Sequence, residues 1–537
     1  MWDAGDKNAT IAAWVLNDVY SYVPSGFNRI GATNGTGDYL DAASGDAIPS
    51  RPNAAIENYT NGRVSLNNNP DPYWGASYAG IRRANIFLRN IDRVPGKAEV
   101  IKYWKSEARF LRALFYFELL KRYGGVPLIG DTLFRPSDNL QIPRNTFEQT
   151  LNYIVSECDA IKDSMRLETD AAAYPDNEWG RAAKGAALAL KVRAYLYGAS
   201  PLFNGGGLET SPERKALTGY PSYDATRWQK VVDAVAELKA LNYYTLTGVT
   251  FQQTFTTKKN KDVIFAKQSG NNTQIETNNA PMGYAAPTAS NGWTSPTQDL
   301  VDAFPMNNGL AITEAGSGYS AANPYANRDP RLNLTIFYNG QRWLSRIIET
   351  FEGGRDKPGG IAVQTRTGYY ARKFMADFTN NTTYTNQSHN FALFRYAEVL
   401  LANAEALNEL GRTEDAVAEV ITVRRRAGIA AGANNRFGIR AAGAATQDYV
   451  RELIRNERRI ELAFEEHRFW DLRRWKLAGQ VLNGPVYGMK ITKQANGTFT
   501  YEKFVANTLR FSDRLYHLPI PYDETARNLA LIQNEGW

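Results

Sequence analysis

Cysteine is nearly absent from these 537 residues: Cys158 stands alone, so no internal disulfide can brace the fold. Histidine is almost as scarce. His389, His467 and His517 lie far apart in sequence, and neither an HExxH nor a CxxC spacing occurs, which removes the usual zinc sites. Long apolar runs are missing too. The most apolar windows, such as Phe110 to Leu120, carry charges at helical spacing and fall short of the roughly 20 apolar residues that a membrane-spanning helix needs. The opening Met1-Trp2-Asp3 has neither the basic flank nor the apolar core of an export signal. Neither GxxxxGK[ST] nor GxGxxG accompanies Gly353-Gly354 or Gly359-Gly360, which read as flexible turns, and no GxSxG elbow presents a nucleophilic serine. A dominant charge sign is lacking as well. The 62 basic and 55 acidic residues are mixed throughout, so the net +7 suits a weakly cationic surface and not a nucleic-acid footprint.

What is present is ordinary globular material, 43% hydrophobic and 22% charged, with aromatics at 12%; rings stack on bases, peptides and sugars alike, so their number selects no ligand. The first 75 residues read as loops around one short helix, broken by clusters such as Asn67-Asn68-Asn69-Pro70-Asp71-Pro72. Three-and-four spacing of apolar residues then begins. Tyr78 to Ile91 and Val100 to Tyr123 are expected to form an antiparallel helix pair, ended by Gly124-Gly125 and Pro127. Three further pairs are expected: Asn145–Met165 with Arg181–Ala199, Thr226–Leu241 with Phe391–Leu410, and Thr413–Ala427 with Gln447–Trp475. Small residues such as Ala182, Ala183, Ala186, Ala187 and Ala189 permit the close approach by which tetratricopeptide-like hairpins stack. The fold class is therefore mainly α, about four tetratricopeptide-like helix pairs with a large irregular insertion of loops and short strands.

The insertion separates the two helices of the third pair, residues 242–390. Thirty of its 149 residues are Gly or Asn, and Val363 to Met375 alternates like a strand, so it is expected to be a loop-rich subdomain packed on the helices. The chain divides accordingly into a loop-rich segment 1–77, a scaffold half 78–241, the insertion 242–390, and a second scaffold half 391–537 with a C-terminal tail. Loops on a rigid scaffold are where binding usually resides.

Candidate ligand platforms follow from that placement. Trp293, in Ser290-Asn291-Gly292-Trp293-Thr294, and Trp343, in Asn339-Gly340-Gln341-Arg342-Trp343, are flat aromatics among polar and glycine residues. Such rings are expected to lie open. Tyr73 and Trp74 precede the first long helix and read first as helix packing, second as a platform. Cys158, inside a helical run, reads as a small buried hydrophobe. In the charged segment Arg451 to Trp475, Glu457 points to the buried face, and with Glu461 it could form the carboxylate pair of a glycosidase. The competing reading is structural, with Arg455, Arg458 and Arg459 close enough to pair with Glu457 or Glu461, and a paired carboxylate stays ionised.

Five stretches together resemble one family. They are Glu107-Ala108-Arg109-Phe110-Leu111-Arg112-Ala113-Leu114-Phe115-Tyr116-Phe117 with Tyr123-Gly124-Gly125-Val126-Pro127-Leu128; Tyr78-Ala79-Gly80-Ile81-Arg82-Arg83-Ala84-Asn85; Phe394-Arg395-Tyr396-Ala397-Glu398-Val399-Leu400-Leu401-Ala402-Asn403-Ala404-Glu405-Ala406; Ile454-Arg455-Asn456-Glu457-Arg458-Arg459-Ile460-Glu461-Leu462-Ala463-Phe464-Glu465; and Leu518-Pro519-Ile520-Pro521 with Gln533-Asn534-Glu535-Gly536-Trp537. In this order they resemble the SusD/RagB family of Bacteroidetes outer-membrane lipoproteins, from about residue 78 to the end. The resemblance implies a surface glycan-binding protein without catalysis or cofactor, tethered to the outer membrane by an N-terminal lipid. It also implies a partner, a SusC-like TonB-dependent transporter, over which the lipoprotein closes as a lid on captured oligosaccharides. The precursor is then expected to begin upstream of Met1 with a signal peptide and a lipid-bearing cysteine.

The family holds its ligand residues in no fixed motif, so chemistry must choose them. A sugar presents a CH face and a belt of hydroxyls, which call for an aromatic plane flanked by Arg, Asp or Asn. In the insertion these are Trp293, Trp343, Tyr370 and Arg372; in the loop from Gly35 to Ser50, Asp41 with Asp38 and Asp46, which also read as turn residues. Metal binding stays open, because scattered Asp and Asn could hold calcium without a loop motif. Three alternatives to glycan capture remain: a peptide-capturing relative, a helical glycoside hydrolase using Glu457 and Glu461, and an intracellular tetratricopeptide adaptor.

Overall fold

The structure, a computed structural model, describes residues 2, 5–31, 37–284, 290–360, 363–378 and 383–537. Residues 35 and 36 of the expected aspartate-bearing loop lie outside these. Helices of eight or more residues are α1 (Thr10–Ser21), α2 (Trp74–Asn90), α3 (Ala98–Tyr123), α4 (Phe147–Ile161), α5 (Lys184–Ala199), α6 (Thr226–Lys239), α7 (Tyr396–Glu409), α8 (Thr413–Ala427), α9 (Gln447–Glu461) and α10 (His467–Arg474). Each of α2 to α6 packs on the next, α6 packs on α7, and α7 packs on both α8 and α9. The four expected pairs thus join into one continuous array.

Local chemistry accounts for several boundaries. Thr146 and Gln149 form a reciprocal capping box that starts α4, and Thr446 caps α9 by accepting from the Tyr449 amide. Ala182, Ala183, Ala186, Ala187 and Ala189 are all buried, which lets α5 sit deep in the array. Cys158 is buried on α4 and carries no partner sulfur.

Two expected helices are divided. Phe391–Leu410 begins as strand β8 (Phe391–Arg395), which pairs antiparallel with β2 (Val263–Lys267) before α7 starts. The two ends of the insertion are thereby tied together at its neck. Gln447–Trp475 breaks between α9 and α10, where Phe464 and Glu466 both adopt positive φ, 62° and 66°, and no helix can continue. The C-terminal tail holds an unexpected feature, the long hairpin of β9 (Gly484–Lys493) and β10 (Phe499–Leu509). Three further pairs are short: β1 (Ala47–Pro49) with β3 (Thr294–Pro296), β4 (Ile336–Phe337) with β7 (Tyr370–Ala371), and β5 (Arg342–Trp343) with β6 (Arg346–Ile347). Of the strand expected over Val363 to Met375, only the two residues of β7 form.

Candidate functional site

The β1–β3 ladder joins the N-terminal segment to the insertion, and its end sets the site. Pro49 faces Thr294, after which the Ser50 amide donates to the Trp293 carbonyl at 2.6 Å and the Ser50 hydroxyl donates to the Gly292 carbonyl at 2.5 Å. Behind the loop stands Tyr370. A Cβ at Gly292, whose φ is +53°, would lie 2.2 Å from the Tyr370 ring, so only glycine permits this approach. Trp293 is held by its backbone from both sides, since its own amide donates to Asn278 O at 3.0 Å. Its indole is partly exposed.

Arg51 lies over that indole, guanidinium carbon to ring centroid 4.4 Å, and pairs with buried Asp38 at 3.0 Å. Thr294 donates to the same carboxylate at 3.3 Å. Burial pushes the Asp38 carboxyl up to about 6, against the opposing pull of Arg51. Beyond Ser50 a cleft of about 450 Å³ opens between the N-terminal segment, the insertion and the C-terminal hairpin; Pro52, Glu352, Lys357, Arg366, Lys490 and Phe504 are among its walls. Arg366 is fixed there by Glu57 at 2.9 Å and by the Pro49 carbonyl at 3.1 Å. The partly exposed aromatic and the guanidinium clamped by a carboxylate offer stacking and hydrogen bonding, and Ser50, which holds the Trp293 loop, also lines the cleft with its charges of both signs.

The other expected residues do not join this cluster. Trp343 is 1% exposed, packed against Tyr284 and Phe337 with centroids 4.9 Å from each. The expectation of an open ring fails because β5 turns the neighbouring Arg342 outward and Trp343 inward. Tyr370 is fully buried, its hydroxyl donating to Asp356 O at 2.7 Å, so it supports the Trp293 loop from behind. Arg372 is largely buried too, donating to Asn333 O at 2.7 Å and pairing with Asp377 at 3.2 Å. Asp41 is buried and accepts from the Phe464 amide at 3.0 Å; burial, with the nearby Asp46 charge, pushes its carboxyl up to about 7. It ties the N-terminal segment to the break between α9 and α10. Asp46 pairs with Arg459 at 2.5 Å in the same region. Trp74 is buried between Tyr78 and Tyr123, whereas Tyr73, under the Arg122 guanidinium, borders a separate hollow of about 530 Å³.

Glu457 and Glu461 are likewise not a reactive pair. Both side chains are fully buried and share Arg331, at 2.7 and 2.9 Å. Arg424 adds a bond to Glu457 at 2.9 Å, while Arg395, at 2.6 Å, and Arg426 reach Glu461. The expected partners bond elsewhere: Arg455 to Glu452, Arg458 to Asp471 and Arg459 to Asp46. Burial pushes the Glu461 carboxyl up, but Arg426, Arg395 and Arg331 override it and hold the group well below the usual carboxylate range. An ionised carboxylate of this kind has no proton to give as a general acid. Among the described residues no group of three or more His, Cys, Asp or Glu side chains converges as a metal site, and no helix is long and apolar enough to cross a membrane.

Residues 261–537 match the family described as the SusD family, and residues 33–196 match one described as "Starch-binding associating with outer membrane". SusD-like protein P2 of Formosa agariphila is 26% identical over 520 residues, spanning 93% of this chain and 86% of that protein. A SusD-like protein of Bacteroides fragilis superposes with a TM-score of 0.79 at 26% identity, covering 99% of this chain and 98% of the other. A laminarin-binding SusD-like protein shares the fold with a TM-score of 0.65 at 22% identity, covering 99% and 100%.

Proposed function

The chain belongs to the SusD family, and from that premise we propose that it is a surface receptor that captures oligosaccharides and performs no chemistry on them. The observation that supports this reading most is the Trp293–Arg51–Asp38 cluster, where an expected and partly exposed aromatic meets a guanidinium clamped by a carboxylate next to a charged cleft. Delivery to a SusC-like TonB-dependent transporter, with the protein held at the outer membrane by an N-terminal lipid, completes the proposal. The description of the matching N-terminal family, which speaks of association with the outer membrane, favours it. The ion-paired Glu457 and Glu461, held in the ionised form, weigh against the hydrolase alternative.

The test is a titration of the protein against a panel of oligosaccharides and peptides, with the sugar products followed in the same samples. Saturable glycan binding without release of new reducing ends is the expected result; peptide binding alone, or hydrolysis, would overturn the reading.

Binding should also respond to pH. Asp38 has a folded pKa raised to about 6, so it takes up a proton as pH falls from 7 to 5 and lets go of Arg51. Because the raised value means the fold prefers the neutral acid, this group adds stability over that window, and the fold is not what is lost. Glycan affinity is expected to weaken below pH 6, and Asp38→Asn should show the weaker affinity already at pH 7. Affinity constant from pH 7 to 5 would remove Asp38 from the site.

A further inference from the structure

Beside the neck, α1, the turn 176–181 and β2 line a cavity of about 300 Å³ that shares no residue with the cleft beyond Ser50. That is the lower end of the range of about 300–1,000 Å³ typical of small-molecule sites. One side of the Trp179 indole packs against Val263, Ala266 and Ala392, while the same ring lines the cavity. Asn17, Asn177 and Gln268 bring three carboxamides to it. Arg181 is already fixed, by Glu107 at 3.0 Å and Glu178 at 2.6 Å, and donates to the Asn17 Oδ1 at 3.2 Å, while the Asn17 amino group makes no hydrogen bond among the described residues. Among the described residues the indole Nε1 of Trp179 and the side chain of Asn177 make no hydrogen bond, and Gln268 makes only one, at 3.4 Å from its Nε2 to Ala266 O.

The wall is also shaped at close quarters. Gly180 has φ +101°, and a Cβ there would stand 2.8 Å from the Gln268 Cδ, so the glycine lets that carboxamide fold against the turn. An aromatic plane with a free N–H, ringed by carboxamides that each offer a donor and an acceptor, matches the CH face and hydroxyl belt of a sugar. The charged side chains present are already paired or capped: Lys267 donates to the Tyr20 and Ser21 carbonyls at 2.9 and 3.0 Å. A neutral ligand therefore fits better than an anion.

We propose that this cavity is a second saccharide site, taking a neutral sugar unit or short chain end on Trp179, Asn17, Asn177 and Gln268. It rests on the glycan reading for its ligand class, but on none of the residues around Trp293. Two sites on one receptor raise the affinity for a long chain that reaches both, through effective concentration.

The protein labelled with 5-fluorotryptophan separates the two sites by fluorine NMR, with Trp179→Phe and Trp293→Phe assigning two of its eleven tryptophan signals. The probes are maltose, cellobiose, laminaribiose and xylobiose. At least one is expected to shift the Trp179 signal saturably, equally in wild type and in Trp293→Ala. The double variant Asn177→Ala with Gln268→Ala, which leaves the indole packing in place, should weaken that response at least fivefold. A response at Trp293 with none at Trp179 overturns the second site and leaves the proposed function standing. A response at Trp179 alone supports the second site and removes the Trp293 platform; silence at both ends both. An unchanged Trp179 response in the double variant overturns the carboxamide recognition.

Discussion

Replacing Glu461 by Gln is expected to destabilise the protein by about 3–5 kcal/mol, because it leaves an uncompensated buried positive charge in a network where Asp329, Glu457, Asp262 and Glu465 are already engaged by the same arginines. Arg331, Arg395 and Arg426 converge on Glu461 from the insertion, the neck strand and α8, so the loss falls on the joint between insertion and scaffold. Lys373 donates to the Glu461 carbonyl at 2.8 Å and pairs with Glu465 at 2.6 Å, adding a further tie in the same place. Denaturant unfolding checks the magnitude, and hydrogen exchange should show the neck strands β2 and β8 opening first. The pH dependence has a definite sign. With its folded pKa held well below the unfolded one, Glu461 contributes stability above about pH 4.3, and that contribution is lost as acid approaches the folded value. Glycan binding at neutral pH is expected to survive in Glu461→Gln below its melting temperature. Unchanged stability with lost function would move this segment from scaffold to active site.

Trp343→Ala is expected to cost a similar amount, about 3–5 kcal/mol, by leaving a cavity where a large ring was packed. Tyr284, Phe337 and Tyr384 surround that ring, and Tyr284 also donates to the Trp343 carbonyl at 2.9 Å. The effect should appear as a lowered melting temperature, with Trp343→Phe recovering part of it. A Trp343→Ala protein that melts like wild type but fails to bind sugar would return the ring to the ligand site.

The two tryptophans show where sequence reading succeeds and where it stops. Both sit beside Gly and Asn, and that composition alone placed both rings in the open. Burial follows the strand alternation of Arg342 and Trp343, a two-residue pattern too short to read without knowing that β5 pairs with β6. Arg51 was illegible for a different reason. It meets Trp293 only because β1 pairs with β3 across some 240 residues of chain, and nothing local to Pro49-Ser50-Arg51 announces that partner. Helix α8 was legible to its ends, since Thr413–Ala427 carries acids in its first turn, arginines in its last and Gly428 beyond. The hairpin of β9 and β10 carried a usable signal, Asn496-Gly497 between alternating runs, that the helical pattern upstream obscured. The partners of Glu457 and Glu461 were misread because neighbours in sequence on α9 point to other faces of the helix, while the real partners arrive from the insertion, β8 and α8.

Glycan capture at Trp293 is tested most directly by calorimetric titration of wild type and Trp293→Ala with the oligosaccharide selected from the panel. Stacking a sugar on one indole is worth on the order of 1 kcal/mol by area, so the variant should bind about fivefold more weakly or worse, with a melting temperature close to wild type. Equal affinity in the two proteins would contradict the assignment of the site.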